Sequence, residues 1–338
     1  MIIITQPTAT DEQVERIVAE LEAHGLEAEI SRGESRVFVG VVGQHDLVND
    51  KALAALPGVE AIVPATQPYK LSAYDTRGAA SRVEICGVSV GGDSAIALIC
   101  GPCSVESREQ MLAIARTVKE SGARILRGGA FKPRTSPYSF QGLREDGLRL
   151  LAEARNETGL PVITEIMDAR DLPLIERYAD CLQIGARNMH NFSLLKEVGR
   201  SHLPVLLKRG FSATVHELIL SAEYILSGGN MNVLLCERGI RTFETGTRYT
   251  LDLSAVPILK AKTHLPVVVD PTHGVGLRAF VPQMSLAAIA AGADAIMLEV
   301  HNSPECAKSD GEQALFPSTM AKLLPRMRAV ANAVGRDL

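Results

Sequence analysis

Residues 161–185 read PVITEIMDARDLPLIERYADCLQIG. A short apolar run, PVITE (161–165), leads into a helical pattern and then into a second apolar run, CLQIG (181–185). Neither run alternates polar with apolar residues, which is how parallel strands buried on both faces read. The same beat recurs at AIALIC (95–100), RILRG (124–128), PVLLK (204–208), NVLLCE (232–237), PVVVD (266–270) and DAIMLEV (294–300), each followed by a helical pattern. Eight strand-helix units in about 250 residues fit a closed (β/α)8 barrel. A doubly wound open sheet is the alternative, but eight successive units without a long interruption favour closure.

Upstream, residues 1–68 read as a βαββαβ unit: MIIIT, TDEQVERIVAELEAHG, LEAEIS, RVFVGVV, HDLVNDKALAALPG and VEAIVPA. Val14, Ile17, Val18 and Leu21 share one face of the first helix at amphipathic spacing. A small ferredoxin-like domain is expected. The polar stretch 69–82 suits a linker, and the barrel domain is expected over 83–338. It opens with a hairpin, VEICGVSVGGD, that has Gly91-Gly92 near its turn.

Of the 338 residues, 46% are hydrophobic and 22% charged, with a formal net charge of -4. Such a balance gives no global reason to expect nucleic acid or an anionic membrane as partner. No apolar run approaches the roughly 18 residues of a membrane span, and the start MIIITQP has no basic leader, so a cytoplasmic protein is expected. Six scattered cysteines point to reduced thiols rather than a disulfide scaffold.

Barrel enzymes carry their chemistry where strands end and βα loops begin. There this sequence places Arg127, Lys132, Arg134, Arg187, Lys208 and Arg238. Cations converging on one mouth repel each other unless anions fill it, and guanidinium forks match phosphate and carboxylate oxygens. A multiply negative substrate is expected. The other strand ends offer Cys103, His273, Glu299 and Asp310, after strands 1, 7, 8 and 8. Closing the barrel makes strand 8 the neighbour of strand 1, so the four converge. A thiolate, an imidazole and two carboxylates suit a transition-series divalent ion better than calcium or magnesium.

Cys100-Gly-Pro-Cys103 has the spacing of a thioredoxin motif. In a thioredoxin the first cysteine starts a helix, whereas Cys100 ends a buried strand. Ser107 to Gln110 has the spacing of a helix start, which leaves Cys103 in a loop facing the mouth. His24, His45, His202, His216 and His264 read as solvated or satisfied side chains, and Cys181 and Cys236 as core. His301, two residues beyond Glu299, falls on the same strand side.

GPCS, LRGGAFKPRTSPYSFQGL, QIGARN, LLKRG, LCERGIRTFE, DPTH and EVHNSPECAKSDGEQAL resemble the motifs of the microbial type I 3-deoxy-D-arabino-heptulosonate 7-phosphate (DAHP) synthases. That branch includes the 3-deoxy-D-manno-octulosonate 8-phosphate synthases. The resemblance spans residues from about 80 to 325. It implies a metal-dependent condensation of phosphoenolpyruvate with erythrose 4-phosphate and water, the first step of aromatic amino-acid synthesis. Under it, Cys103, His273, Glu299 and Asp310 hold one divalent ion such as manganese, iron, cobalt or zinc. Arg127, Lys132 and Lys208 hold the carboxylate and reacting region of phosphoenolpyruvate, and Arg187 and Arg238 its phosphate. Arg134, Thr135 and Ser136 receive the sugar phosphate, while Glu165 with Lys132 orients the water. The resemblance further implies a homotetramer and an N-terminal domain that binds an inhibitory aromatic amino acid, tyrosine or phenylalanine. The rival inside the branch uses arabinose 5-phosphate; KPRTS (132–136) favours the heptulosonate reading over the Asn-containing segment usual in octulosonate enzymes. A non-catalytic amino-acid sensor is the rival of another class, and the complete ligand and cation set argues against it.

Overall fold

The apolar start of the chain becomes strand β1 (Ile2–Thr5), followed by helix α1 (Asp11–Ala23), β2 (Glu27–Arg32), β3 (Val37–Val42), α2 (Asp50–Ala54) and β4 (Val59–Val63). The structure is a computed structural model, and it describes residues 1–33, 36–42, 50–63, 69–133 and 136–338. The four strands form an antiparallel sheet in the order β2-β3-β1-β4, with Ile3 opposite Val39 on one side and Ile62 on the other. Helix α1 begins at Thr10, whose hydroxyl accepts from the Gln13 amide while the Gln13 side chain accepts from the Thr10 amide at 3.0 Å. That reciprocal box satisfies two amides the helix cannot. Val14, Ile17 and Leu21 are buried against Ile3, Val39, Val41 and Leu53, with Val18 partly buried beside them. The unit has the expected ferredoxin-like order of elements.

Contacts divide the chain into two units, Met1–Arg77 and Gly78–Leu338. Within 69–82, read from sequence as irregular, lie a one-turn helix α3 (Tyr74–Arg77) and the first residue of β5 (Arg82–Ile85). β5 pairs with β6 (Val88–Gly91) in an antiparallel hairpin. Its turn is Cys86-Gly87, both at positive φ, and not Gly91-Gly92. Gly91 ends β6 and serves close approach instead: at φ +94, a Cβ there would lie 2.5 Å from Pro266 Cγ.

Eight parallel strands then close a barrel: β7 (Ala97–Gly101), β8 (Ile125–Arg127), β9 (Val162–Ile166), β10 (Cys181–Ile184), β11 (Val205–Lys208), β12 (Val233–Glu237), β13 (Val267–Val269) and β14 (Ala295–Glu299). Closure comes from β14 on β7, where Glu299 stands opposite Gly101. The interior holds Ile99, Ile125, Ile163, Leu206, Val268 and Met297 with Cys181 and Cys236, and the hairpin adds Val83, Ile85, Val88 and Val90 to the same cluster. The outer layer comprises α4 (Arg108–Glu120), α5 (Glu145–Thr158), α6 (Leu172–Ile175), α7 (Phe192–Val198), α8 (Val215–Ser227), α9 (Ala255–Lys262), α11 (Val281–Ala290) and α12 (Pro317–Ala333), while the short α10 (Pro271–Val275) directly follows β13. Among the described residues no helix is long and apolar enough to cross a membrane.

Candidate active site

Three strand ends supply the four candidate metal donors. At the end of β7, Gly101 lets the chain pass close to β8, since a Cβ there would fall 2.0 Å from the Arg127 carbonyl oxygen. Helix α4 starts only after Ser107, whose hydroxyl accepts from the Gln110 amide at 3.1 Å, so Cys103 lies in the loop and not at a helix N-terminus. The Gln110 side chain does not complete the box; it reaches Glu106 and Ser104 instead. DPTH folds as α10, with Asp270 as N-cap accepting from the His273 amide at 3.0 Å and Pro271 opening the helix. Glu299 is the last residue of β14, and Asp310 sits in the following loop at φ +51, in the left-handed region.

One ligand atom from each of Cys103, His273, Glu299 and Asp310 lies within 4.8 Å of every other. Cys103 Sγ is 3.1 Å from Asp310 Oδ2, and His273 Nε2 is 3.2 Å from Glu299 Oε1. The other imidazole nitrogen, Nδ1, is 2.7 Å from Asp270 Oδ2. Burial opposes the Asp270 charge, yet His273 and Lys208 hold its carboxyl well below the usual range, so the carboxylate can accept from Nδ1, which leaves Nε2 free as the candidate coordinating atom. Burial likewise pushes Glu299 upward, but His273 and Arg127 together keep it below its ordinary value. For the Cys103 thiol, burial and then the Glu299 charge act in the same direction and push it up to about 12. The same repulsion would oppose a thiolate beside two carboxylates, and a divalent cation among them would remove it. The donor set therefore fits such an ion, and the mixture of sulfur, nitrogen and oxygen fits a transition-series one.

Beside this cluster opens a cavity of about 350 Å³, lined among others by Arg127, Lys132, Arg187, Lys208, Arg238 and Arg248. Arg127 donates to Glu299 Oε1 at 2.9 Å, and Lys208 pairs with Asp270. Lys132 Nζ lies 2.9 Å from Cys103 Sγ and 3.0 Å from the Cys103 carbonyl oxygen. Burial works against its charge, but the Cys103 sulfur and Glu165 hold Lys132 above its ordinary value. Glu165, at the end of β9, lines the same cavity with Ser136 and accepts from Gln183 Nε2 at 3.3 Å. A side chain at Gly185 would push the Glu165 carboxylate aside, because a Cβ would fall 2.0 Å from Glu165 Oε1. Arg238 is buried, and burial lowers its affinity for the proton.

Of the residues expected at the site, Arg134 and Thr135 lie outside the described residues; Ser136 and the other expected cations face the cavity. His301 does not join the metal donors. Its Nδ1 accepts from the Ser303 amide at 3.0 Å and its Nε2 lies 3.8 Å from Glu106. Sequence reasoning missed Asp270, Gln183, Phe211, Arg248 and Gln313. Only Asp270 carried a usable signal, as an aspartate at a strand end three residues before a candidate ligand.

Against known families, residues 67–334 match the DAHP synthetase I family and residues 1–67 the DAHP synthase ferredoxin-like domain. The chain is 46% identical over 335 residues to the phospho-2-dehydro-3-deoxyheptonate aldolase of Thermotoga maritima, covering 99% of both chains. A 2-dehydro-3-deoxyphosphooctonate aldolase from Syntrophotalea carbinolica is 33% identical over 266 residues, 73% of this chain and 95% of that one. The crystal structure of the Thermotoga DAHP synthase superposes with a TM-score of 0.79 at 45% identity, over 99% of this chain and 98% of that one. A truncated form of the Thermotoga enzyme gives 0.74 at 45% identity, over 80% of this chain and 98% of that one. Barrel, N-terminal domain and full-length similarity agree, and the chain belongs to the DAHP synthetase I family, with that family's ferredoxin-like domain at its N-terminus.

Proposed function

We propose that this DAHP synthase works by holding phosphoenolpyruvate between two kinds of cation while an aldehyde is activated at the metal donors. The observation that carries the reading is the cavity itself, with His273 and Asp310 of the donor set in the wall that also holds Arg187, Arg238 and Lys208. Arg187 and Arg238 take the phosphate of phosphoenolpyruvate, and Arg127, Lys132 and Lys208 take its carboxylate and reacting carbons. A divalent ion held by Cys103, His273, Glu299 and Asp310 would supply Lewis acidity toward the aldehyde oxygen of erythrose 4-phosphate. The methylene carbon of phosphoenolpyruvate forms the new carbon-carbon bond, water adds at the enol carbon, and inorganic phosphate leaves. Glu165 accepts a proton from that water, and Lys132, whose Nζ stands beside Cys103, supplies one to the developing alkoxide. Arg134, Thr135 and Ser136 bind the sugar phosphate. Native metal candidates are manganese, iron, cobalt and zinc.

The N-terminal ferredoxin-like unit is proposed as a regulatory domain for an aromatic amino acid, tyrosine or phenylalanine, around residues 31–39, of which 34 and 35 lie outside the described residues. A homotetramer is the proposed assembly, and the cytoplasm the proposed location. Deleting residues 1–68 is expected to keep catalysis and remove inhibition; a truncated enzyme inhibited by the same amino acid places that site in the barrel.

The deciding assay follows phosphoenolpyruvate consumption by ultraviolet absorbance with each aldose phosphate. Erythrose 4-phosphate is expected to be strongly preferred in kcat/KM. Equal or reversed preference for arabinose 5-phosphate transfers the assignment to the octulosonate reading. That reading has relatives aligned over about three quarters of the chain, whereas the Thermotoga heptonate enzyme aligns over 99% of it.

A further inference from the structure

The buried cations around the cavity are of two sorts. Arg127 pairs with Glu299, Lys208 with Asp270, and Arg209 with both Glu237 and Asp252 at 2.8 Å. Arg238, equally buried, has no carboxylate at ion-pair distance among the described residues; its guanidinium donates only to the carbonyl oxygens of Gly239 and His273, each at 3.3 Å. What it has instead is aromatic. Its Cζ lies 4.8 Å from the ring centre of Phe211 and 4.4 Å from that of Tyr249. The two rings are parallel within 3° and 5.1 Å apart. Arg187 stands over Phe211 as well, at 5.2 Å, with Arg241 at 5.4 Å, while Arg248 stands over Tyr249 at 5.6 Å.

The backbone is built to bring these rings together. Phe211 directly follows Lys208-Arg209-Gly210 at the end of β11, and its carbonyl accepts from the Arg241 amide at 2.6 Å. Tyr249 is drawn in by its own amide, which donates to Gly274 at 3.1 Å, and by the bridge between Ile240 and Thr250. Gly239, at φ +93, leaves room for it, since a Cβ there would fall 2.8 Å from Tyr249 Cβ.

A carboxylate could hold an arginine in place, but it would occupy the N–H edges that a phosphate needs. A ring face attracts the same charge through its quadrupole and leaves those edges free. We infer that Phe211 and Tyr249 form an aromatic pedestal that positions Arg187 and Arg238 as an unneutralised clamp for the phosphate of phosphoenolpyruvate. The inference rests on the assignment of that phosphate to Arg187 and Arg238. Phe211, shared by both arginines, is the positioning residue whose ring matters most.

The test uses the full-length enzyme loaded with manganese. For Phe211→Leu, which keeps apolar bulk and loses the ring, KM for phosphoenolpyruvate and the Kd of inorganic phosphate alone should each rise about tenfold, with kcat and the KM of erythrose 4-phosphate within about twofold. Phe211→Trp should restore phosphoenolpyruvate binding, because indole is the strongest of the three rings toward a guanidinium. The chain has no native tryptophan, so this residue is also a lone reporter whose emission should change on adding phosphoenolpyruvate or phosphate. Calorimetry on the wild type separates the two levels of the argument: no phosphoenolpyruvate binding there removes the substrate assignment itself. Wild-type binding with an unchanged Kd in Phe211→Leu overturns the pedestal alone, as does a fall in kcat with KM unmoved, or a tryptophan emission that ignores saturating phosphoenolpyruvate.

Discussion

Gln313 donates its side-chain Nε2 to Oε2 of Glu299, 14 residues back along the chain. Its carbonyl Oε1 is engaged in turn by Arg248 Nη1 at 3.0 Å, which fixes the orientation of the amide. The same Nη1 reaches Asp310 Oδ1 at 3.1 Å. One buried amide and one arginine thus brace two of the four candidate metal donors. Partners of this kind orient ligands, and their loss commonly weakens metal binding about 10- to 100-fold. Gln313→Leu is therefore expected to weaken manganese binding by that factor, read from the signal of free manganese in electron paramagnetic resonance titrations. Activity should return at excess metal. An unchanged manganese affinity would show that Glu299 needs no brace.

Removing a donor should be more severe. Cys103 supplies the cluster's sulfur, and its Sγ faces Asp310 Oδ2 at 3.1 Å. Cys103→Ala is expected to abolish turnover and high-affinity metal binding while leaving the far-ultraviolet circular dichroism unchanged. Chelation should silence the wild type, and manganese or another divalent ion should restore it. Full activity after exhaustive chelation would refute the metal reading.

Much of this arrangement was legible in the chain. All eight apolar runs coincide with barrel strands, because strands covered on both faces carry a continuous signal that needs no partner to be read. The four donors could be gathered because closure puts the end of β14 beside the end of β7, as the pairing of Glu299 with Gly101 shows. Less accessible were residues defined only by distant partners. Gln313 and Arg248 are 65 positions apart, and nothing local marks either as part of a brace. Phe211 reads as an ordinary apolar side chain until Arg187 and Arg238 are seen over it. The hairpin turn was misplaced for a related reason: two adjacent glycines at 91 and 92 signal a turn, but Gly91 is required by Pro266, 175 positions away in sequence and in contact only after folding.

The cavity floor offers a separate test of Glu165. Gly185 cannot accept a side chain without displacing it, since the new Cβ would lie 2.0 Å from Glu165 Oε1. If Glu165 handles the water, Gly185→Ala should lower kcat by about 100-fold or more, within the range of general acid-base catalysis. Manganese affinity should stay within about twofold, because Gly185 touches none of the four donors. Wild-type kcat in both Gly185→Ala and Glu165→Gln would remove Glu165 from the mechanism.

Alkaline pH should expose the cost of the thiols buried in the barrel. Burial pushes Cys236 from its ordinary 9.0 up to about 12. The folded state therefore holds this proton through a range where the unfolded state has released it. The stability that the neutral thiol contributes is complete below about pH 9 and is lost as pH rises toward 12, at up to about 1.4 kcal/mol per pH unit. Cys236→Ala gives up some packing at neutral pH, because the side chain is fully buried in the barrel interior. It also removes one titrating group, so its stability should fall less steeply than that of the wild type between about pH 9 and 10.5, by close to one proton. Urea unfolding of the manganese-loaded enzyme across that range, kept under reductant, measures the difference. Parallel slopes in the two proteins would mean that the Cys236 thiol ionises as readily in the fold as in the unfolded chain.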